Sequence, residues 1–163
     1  MRHAISILME NESGALSRVA GLFSARAYNI ESLSVAPTDD PTLSRLSLVT
    51  RGSEEVVEQI IKQLNKLIDV VKLMDLNEHP HIERELMLVK IEVDNDSRYF
   101  VKDIVDIFSA RIIDVSPRAY TVELTASPSK LNSFLDAIKP APIIEIVRSG
   151  SMGIARGDVA LRI

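Results

Sequence analysis

Apolar residues recur along the chain with two periods, and the alternation between them sets out an architecture. Leu16, Val19, Ala20 and Phe23 stand at i, i+3, i+4 and i+7, the stripe that one face of an α-helix requires. The same stripe returns in Val57, Ile60, Ile61 and Leu64, in Val101, Ile104, Val105 and Phe108, and in Leu131, Phe134, Leu135 and Ile138. Between these predicted helices lie β-rich runs at 4–9, 30–36, 43–50 and 70–76, then at 86–93, 112–115, 120–125 and 143–147. Helix starts carry chemical support. Ser53 precedes Glu54 and Glu55, and Ser127 precedes Pro128, a proline suited to the first helical position.

Each half therefore reads βαββαβ, an α+β order that predicts a ferredoxin-like unit of four antiparallel strands with both helices on one face. The polar stretch NEHPHIERE separates the halves, giving predicted domains 1–77 and 86–163 joined by a linker at 78–85. The tetrapeptide FSAR occurs in both, at 23–26 and 108–111. It is expected to mark the end of each unit's first helix, where Phe packs on the sheet and the chain turns into the second strand. The helix-free face of the first sheet carries Ser32, Ser34 and Ser47, small and polar, suited to water or to another sheet. Open sheet edges predict at least a homodimer, formed through the first domain.

Composition adjusts this picture. Apolar residues make up 46% of the chain, but aromatics are only 4% and Trp is absent, so the cores must be aliphatic. Small aliphatic units are marginal alone, which again favours association. A net charge of −4 with no Lys/Arg run argues against a nucleic-acid partner. Without cysteine there is no disulfide frame, thiolate nucleophile or Cys-ligated zinc. The early apolar patch is broken by Glu10 and too short for a signal segment, and nothing later approaches a membrane span. The expectation is a cytoplasmic protein with no membrane partner.

Candidate chemistry gathers where the first strand passes into the first helix, in ENESGALSR. Gly14 at a helix start allows a ligand to reach the first free N–H groups, which favour an anion such as a carboxylate. Asn11 offers both donor and acceptor, which suits an α-amino acid; a turn without a ligand is the plainer alternative. Carrying the FSAR offset back, Asp96 and Tyr99 would replace Asn11 and Gly14 in the second unit, and no amino-acid site is expected there.

ENESGALSR followed by AYNIESLSVAPTDDPTLSR resembles the N-terminal ACT domain of the acetolactate synthase (acetohydroxyacid synthase) small-subunit family, and HIERELMLVKIEV, IIDVSPRAYTVEL and VRSGSMGIARGD resemble its C-terminal domain. The resemblance covers nearly the whole chain. It implies a non-catalytic regulatory subunit that binds a branched-chain amino acid, usually valine, for feedback inhibition. The implied partner is a catalytic large subunit that uses thiamine diphosphate, Mg²⁺ and FAD, with no cofactor on this chain. Carried over by position, the effector site comprises Asn11, Gly14, Ala15 and Leu16 on one subunit and Asn29 and Ile30 across the ACT dimer interface. N–H groups at 14–16 would hold the carboxylate, Asn11 and Asn29 would orient the ammonium, and Ile30 would help line the apolar wall.

Other features carry less. His79 and His81 with Glu78 and Glu83 lack standard metal-ligand spacing, and the serines lack a base, so neither a metal nor catalytic residues are predicted. Asp39-Asp40 before Pro41 reads as a turn between strands. Gly150, Gly153 and Gly157 imply a bent tail. A free-standing ACT-type sensor of another protein stays open as an alternative, and a small enzyme is disfavoured for want of an acid-base cluster.

Overall fold

The computed structural model describes residues 1–163. The elements are β1 (Arg2–Glu10), α1 (Ala15–Ala25), β2 (Ile30–Pro37), β3 (Leu43–Arg51), α2 (Glu54–Leu64) and β4 (Val70–Asp75), then a 3₁₀ turn (Leu76–Glu78). They continue with β5 (His81–Glu92), α3 (Ser97–Ile107), β6 (Arg111–Val115), β7 (Ala119–Ala126), α4 (Pro128–Ile138), β8 (Ile143–Arg148) and β9 (Met152–Ala155). One compact unit comprises residues 1–82 with 151–163, the other 83–150. The first sheet has the order β2-β3-β1-β4 and the second β6-β7-β5-β8, so each unit is ferredoxin-like, as the element order implies.

The aliphatic stripes do what their spacing requires. Val57, Ile60 and Leu64 of α2 join Ile5, Ile7, Leu46, Leu48 and Phe23 in the first core. Val101, Val105, Leu131, Phe134 and Ile138 join Met87, Val89, Ile91, Val122 and Leu124 in the second. Each fully buried side chain of this size contributes about 1.5–3 kcal/mol of transfer free energy. Ser53 and Ser127 cap α2 and α4, accepting from the N–H groups of Val56 and Lys130. In α1 the buried stripe is Ala15, Val19 and Phe23, while Leu16 is exposed. The helix is rotated from the sequence expectation by about one residue, which swings Leu16 off the core.

FSAR does not align the two units. In the first, Ala27 has a left-handed φ of 55°, and Tyr28 N–H closes the helix on Phe23 O at 2.9 Å. In the second, Ser109 has that φ and Ala110 N–H closes on Val105 O, also at 2.9 Å. Phe23 therefore corresponds to Val105, three residues before Phe108. A three-residue shift is close to one helical turn, so Phe108 still reaches the core, stacking edge-on against Phe134 at 5.5 Å. By this alignment Gly14 corresponds to Asp96, the N-cap of α3, and not to Tyr99.

Two expected boundaries also move. Strand β5 begins at His81, so most of the expected linker is extended sheet backbone. The tail 151–163, expected with the second domain, packs in the first unit. Ala155 lies in a cluster with Ala4, Val49 and Leu76, and Arg156 N–H donates to Pro80 O at 2.8 Å. Lys72 Nζ donates to Arg162 O at 2.9 Å. The helix-free face of the first sheet is thus covered in part by the chain's own tail, which is why β1 is buried on both faces from Ala4 to Met9.

Candidate functional site

The six sequence-predicted residues fall into two clusters at opposite ends of the first sheet. At one end Glu10 faces Leu43, and the chain runs through Asn11 to Gly14, the N-cap of α1. At the other end Ile30 faces Thr50, which also faces His3. Helix α1 spans 11 residues between them, about 16 Å of axis. A single chain therefore brings Asn11, Gly14, Ala15 and Leu16 together and keeps Asn29 and Ile30 apart from them.

The first cluster is built around an uncapped helix start. Gly14 has φ 87° and ψ −10°, the left-handed region, no side chain caps α1, and its first turn holds no acid. Ala15 N–H reaches Glu12 O at 3.3 Å, while the N–H groups of Leu16 and Ser17 have no acceptor. Asn11 is anchored through its N–H to Thr42 O (2.8 Å) and through Nδ2 to Pro41 O (3.0 Å), leaving Oδ1 uncommitted. Ala15 is buried and fixes the turn on the core; Leu16 stands open beside it.

The corresponding place in the second unit is filled from within. Asp94 Oδ1 accepts the N–H groups of Asp96 (2.9 Å) and Ser97 (2.7 Å), and Ser97 Oγ accepts Asp94 N–H. These backbone bonds, Ser97's above all, hold the Asp94 carboxyl below its ordinary range. The second unit thus places its own carboxylate on the N–H groups equivalent to those of Gly14 and Ala15, and Arg98 N–H, equivalent to that of Leu16, turns to Asp94 O at 3.2 Å.

Arg18, one turn into α1, donates from Nε and Nη2 to buried Asp69 at 2.5 and 2.9 Å. Its Nη1 occupies the space beside Gly14, where an added Cβ would lie 2.9 Å away. The Arg18 hydrogen bonds hold the Asp69 carboxyl below the ordinary carboxylate range. Because the folded value is the lower one, the pair stabilises the fold above the unfolded pKa, and that contribution is lost as pH falls through the folded value. Asp69→Asn is accordingly expected to reduce the acid slope of stability below about pH 4, measured by urea unfolding across a pH series. Asp40, Glu58 and Asp94, each also lowered, retain the remaining slope.

At the second cluster Asn29 is exposed and Ile30 packs partly on the core. The backbone of Asn29 is held by Thr50, whose fully buried Oγ1 donates to Asn29 O at 2.7 Å. Sequence reasoning missed Thr50, and no local signal marks it, since only the β2–β3 register brings it there. Thr50→Val is expected to cost about 0.5–1.5 kcal/mol of stability. Urea unfolding measures that loss, and Thr50→Ser, which keeps the hydroxyl donor, is expected to restore most of it.

Among the features set aside, Asp40 accepts from Thr42 N–H and Oγ1 at 2.9 and 2.6 Å and so serves its turn. No group of three His, Asp or Glu side chains is placed to hold a metal ion, and no helix is long and apolar enough to cross a membrane.

Residues 5–72 match the AHAS small subunit-like ACT domain, and residues 84–157 match the family described as the small subunit of acetolactate synthase. The chain belongs to the acetolactate synthase small-subunit family. It is 55% identical over 163 residues to the acetolactate synthase isozyme 3 small subunit of Escherichia coli (strain K12), covering 99% of this chain and 100% of that one. It is 52% identical to the acetolactate synthase small subunit of Haemophilus influenzae, covering 97% and 98%. The crystal structure of the acetolactate synthase small subunit from Thermotoga maritima superposes with a TM-score of 0.87 at 36% identity, covering 98% of this chain and 99% of that one. Both residue clusters lie inside the ACT domain of this small subunit.

Proposed function

We propose that the chain binds valine or another branched-chain amino acid at a composite site between two ACT domains, and so conveys feedback inhibition to a catalytic large subunit that it otherwise activates. The observation that carries this reading is the uncapped start of α1 at Gly14, beside the free Oδ1 of Asn11, in a unit whose counterpart is closed by Asp94. The N–H groups of Leu16 and Ser17 take the carboxylate, reinforced by the positive end of the helix dipole. Oδ1 of Asn11 accepts from the ammonium.

The separation of the two clusters is itself an argument for a dimer. Strand β2 pairs only with β3 and leaves its outer edge open. Antiparallel pairing of two such edges about a two-fold axis sets the start of one β2 beside the end of the other. Pro37, at that end, faces Ser44, adjacent to the Glu10–Leu43 pair. Asn29 and Ile30 of one copy then arrive at the Asn11–Gly14 end of the second. Asn29 completes the ammonium contacts, and Ile30 with Leu16 lines the side-chain wall. One methylene in such a wall changes affinity by about 1–3 kcal/mol, so valine, leucine and isoleucine compete for one site. Thiamine diphosphate, Mg²⁺ and FAD belong to the large subunit in this reading.

The test is reconstitution. The chain alone should show no acetolactate formation, its addition should raise large-subunit turnover, and valine should then lower it. Valine inhibition of the large subunit without this chain would overturn the reading. Control of some unrelated protein in place of the large subunit would establish the free-standing sensor.

A further inference from the structure

The helix-free face of the first sheet holds a second constellation. A cavity of about 590 Å³ lies between the sheet, the β2–β3 turn and the tail, with aliphatic walls from Leu8, Leu43, Met152 and Leu161. Arg45 projects into it half-buried. Its Nε donates to Ser6 Oγ at 2.8 Å and its Nη2 to Gly153 O at 3.0 Å, both neutral acceptors. Nη1 has no acceptor, and no carboxylate pairs with the guanidinium. Burial pushes its pKa down, the signature of a charge that lacks a counter-ion. Ser34 and Ser47 face each other across β2 and β3 in the same cavity, and neither hydroxyl has a partner. Arg45 lies two residues from Ser47 on the same face, so the donors stand within about 7 Å along the strand.

A half-buried cation without a counter-ion, beside two uncommitted hydroxyls and flanked by aliphatic side chains, is the chemistry of an anion with an apolar body. The charge of that anion is limited. Asp39, Asp40 and the exposed Arg162 also line it and together leave one net negative charge, so a phosphate dianion meets net repulsion, whereas one carboxylate matches the one half-buried guanidinium, that of Arg45. We propose that this cavity binds a small aliphatic monocarboxylate, its carboxylate on Arg45 Nη1 and the Ser34 and Ser47 hydroxyls and its hydrocarbon against Leu8, Leu43 and Leu161. The site lies on the opposite face of the sheet from α1 and is independent of the Gly14 site. Because Met152, Gly153 and Leu161 line it, a bound ligand ties residues 151–163 to the sheet.

Isovalerate is the probe, titrated into the full chain by calorimetry, with isopentanol as the uncharged analogue. Saturable isovalerate binding is expected, retained in Asn29→Ala, at least tenfold weaker in Arg45→Met, and at least tenfold tighter than isopentanol. Amide exchange in 151–163 should slow when isovalerate is present. Ketoisovalerate and valine as further arms distinguish a 2-oxo acid from an amino acid as the source of the carboxylate. Ser47→Ala, which removes a hydroxyl bonded to nothing in the protein, keeps the test open if Arg45→Met folds poorly, and it should weaken isovalerate several-fold. Absence of isovalerate binding at millimolar concentration would overturn the proposal, as would affinity unchanged in both Arg45→Met and Ser47→Ala. Loss of isovalerate binding in Asn29→Ala would reassign it to the Gly14 site.

Discussion

Gly14→Asp should abolish valine inhibition of the reconstituted enzyme while leaving a folded chain that still activates the large subunit. Two opposing terms set the stability. A non-glycine residue at φ 87° costs about 1–2 kcal/mol, and the new Cβ displaces Arg18 Nη1, the far end of a flexible side chain. Against this, a carboxylate at the bare start of α1 offsets about 0.5–2 kcal/mol by accepting the free N–H groups. The melting temperature should therefore fall by only a few degrees. Binding has no such compensation. The Asp side chain occupies the anion position, and two like charges about 4 Å apart near a surface repel by about 4 kcal/mol at an effective dielectric of 20. Valine affinity should drop by about 100-fold or more. Gly14→Ala, which carries the strain without the charge, should lose less affinity. Equal valine titration curves for wild type and Gly14→Asp would remove Gly14 from the site.

Mixing two inactive sensors should restore inhibition. Gly14→Asp and Asn29→Ala each damage every site in their own homodimers, but a mixed dimer collects both lesions in one site and leaves the other intact. Random exchange between equal amounts converts half of the dimers, so about one quarter of all sites should regain wild-type valine affinity. Calorimetric titration of the mixture after subunit exchange measures that fraction, and either variant alone gives none. The same mixture made from Gly14→Asp and Asn11→Ala, two lesions of one cluster, should restore nothing, because every intact Asn29–Ile30 half then faces a damaged Asn11–Gly14 half. Restoration in both mixtures, or in neither, would show that the two clusters do not form one site across a dimer.

How much of this was legible beforehand depends on the range of the interaction. Periodicity is local, so the stripes of α2 and α4, the alternation along β3 and the caps at Ser53 and Ser127 could be read residue by residue, and with them the two βαββαβ units. The glycine at the start of α1 was readable for the same reason, since a left-handed turn and an uncapped helix are properties of a few adjacent residues. The resemblance to a known family then attached a ligand to that turn, and Asn29 and Ile30 to the same site. Alignment of the two units was not legible. FSAR offered a plausible register that differed from the folded one by nearly a helical turn, an interval at which a phenylalanine finds the core either way. Long-range packing decided the remainder. Thr50 reaches Asn29 only through strand register, Arg18 meets Asp69 only once α1 lies beside the start of β4, and the tail covers the first sheet because Ala155 and Leu161 find apolar surface there that no local pattern names. Local sequence thus specified the elements and the chemistry of one turn. Only the folded chain could choose among the many apolar surfaces of similar hydrophobicity which would meet, because burial is non-directional and shape alone selects the partner.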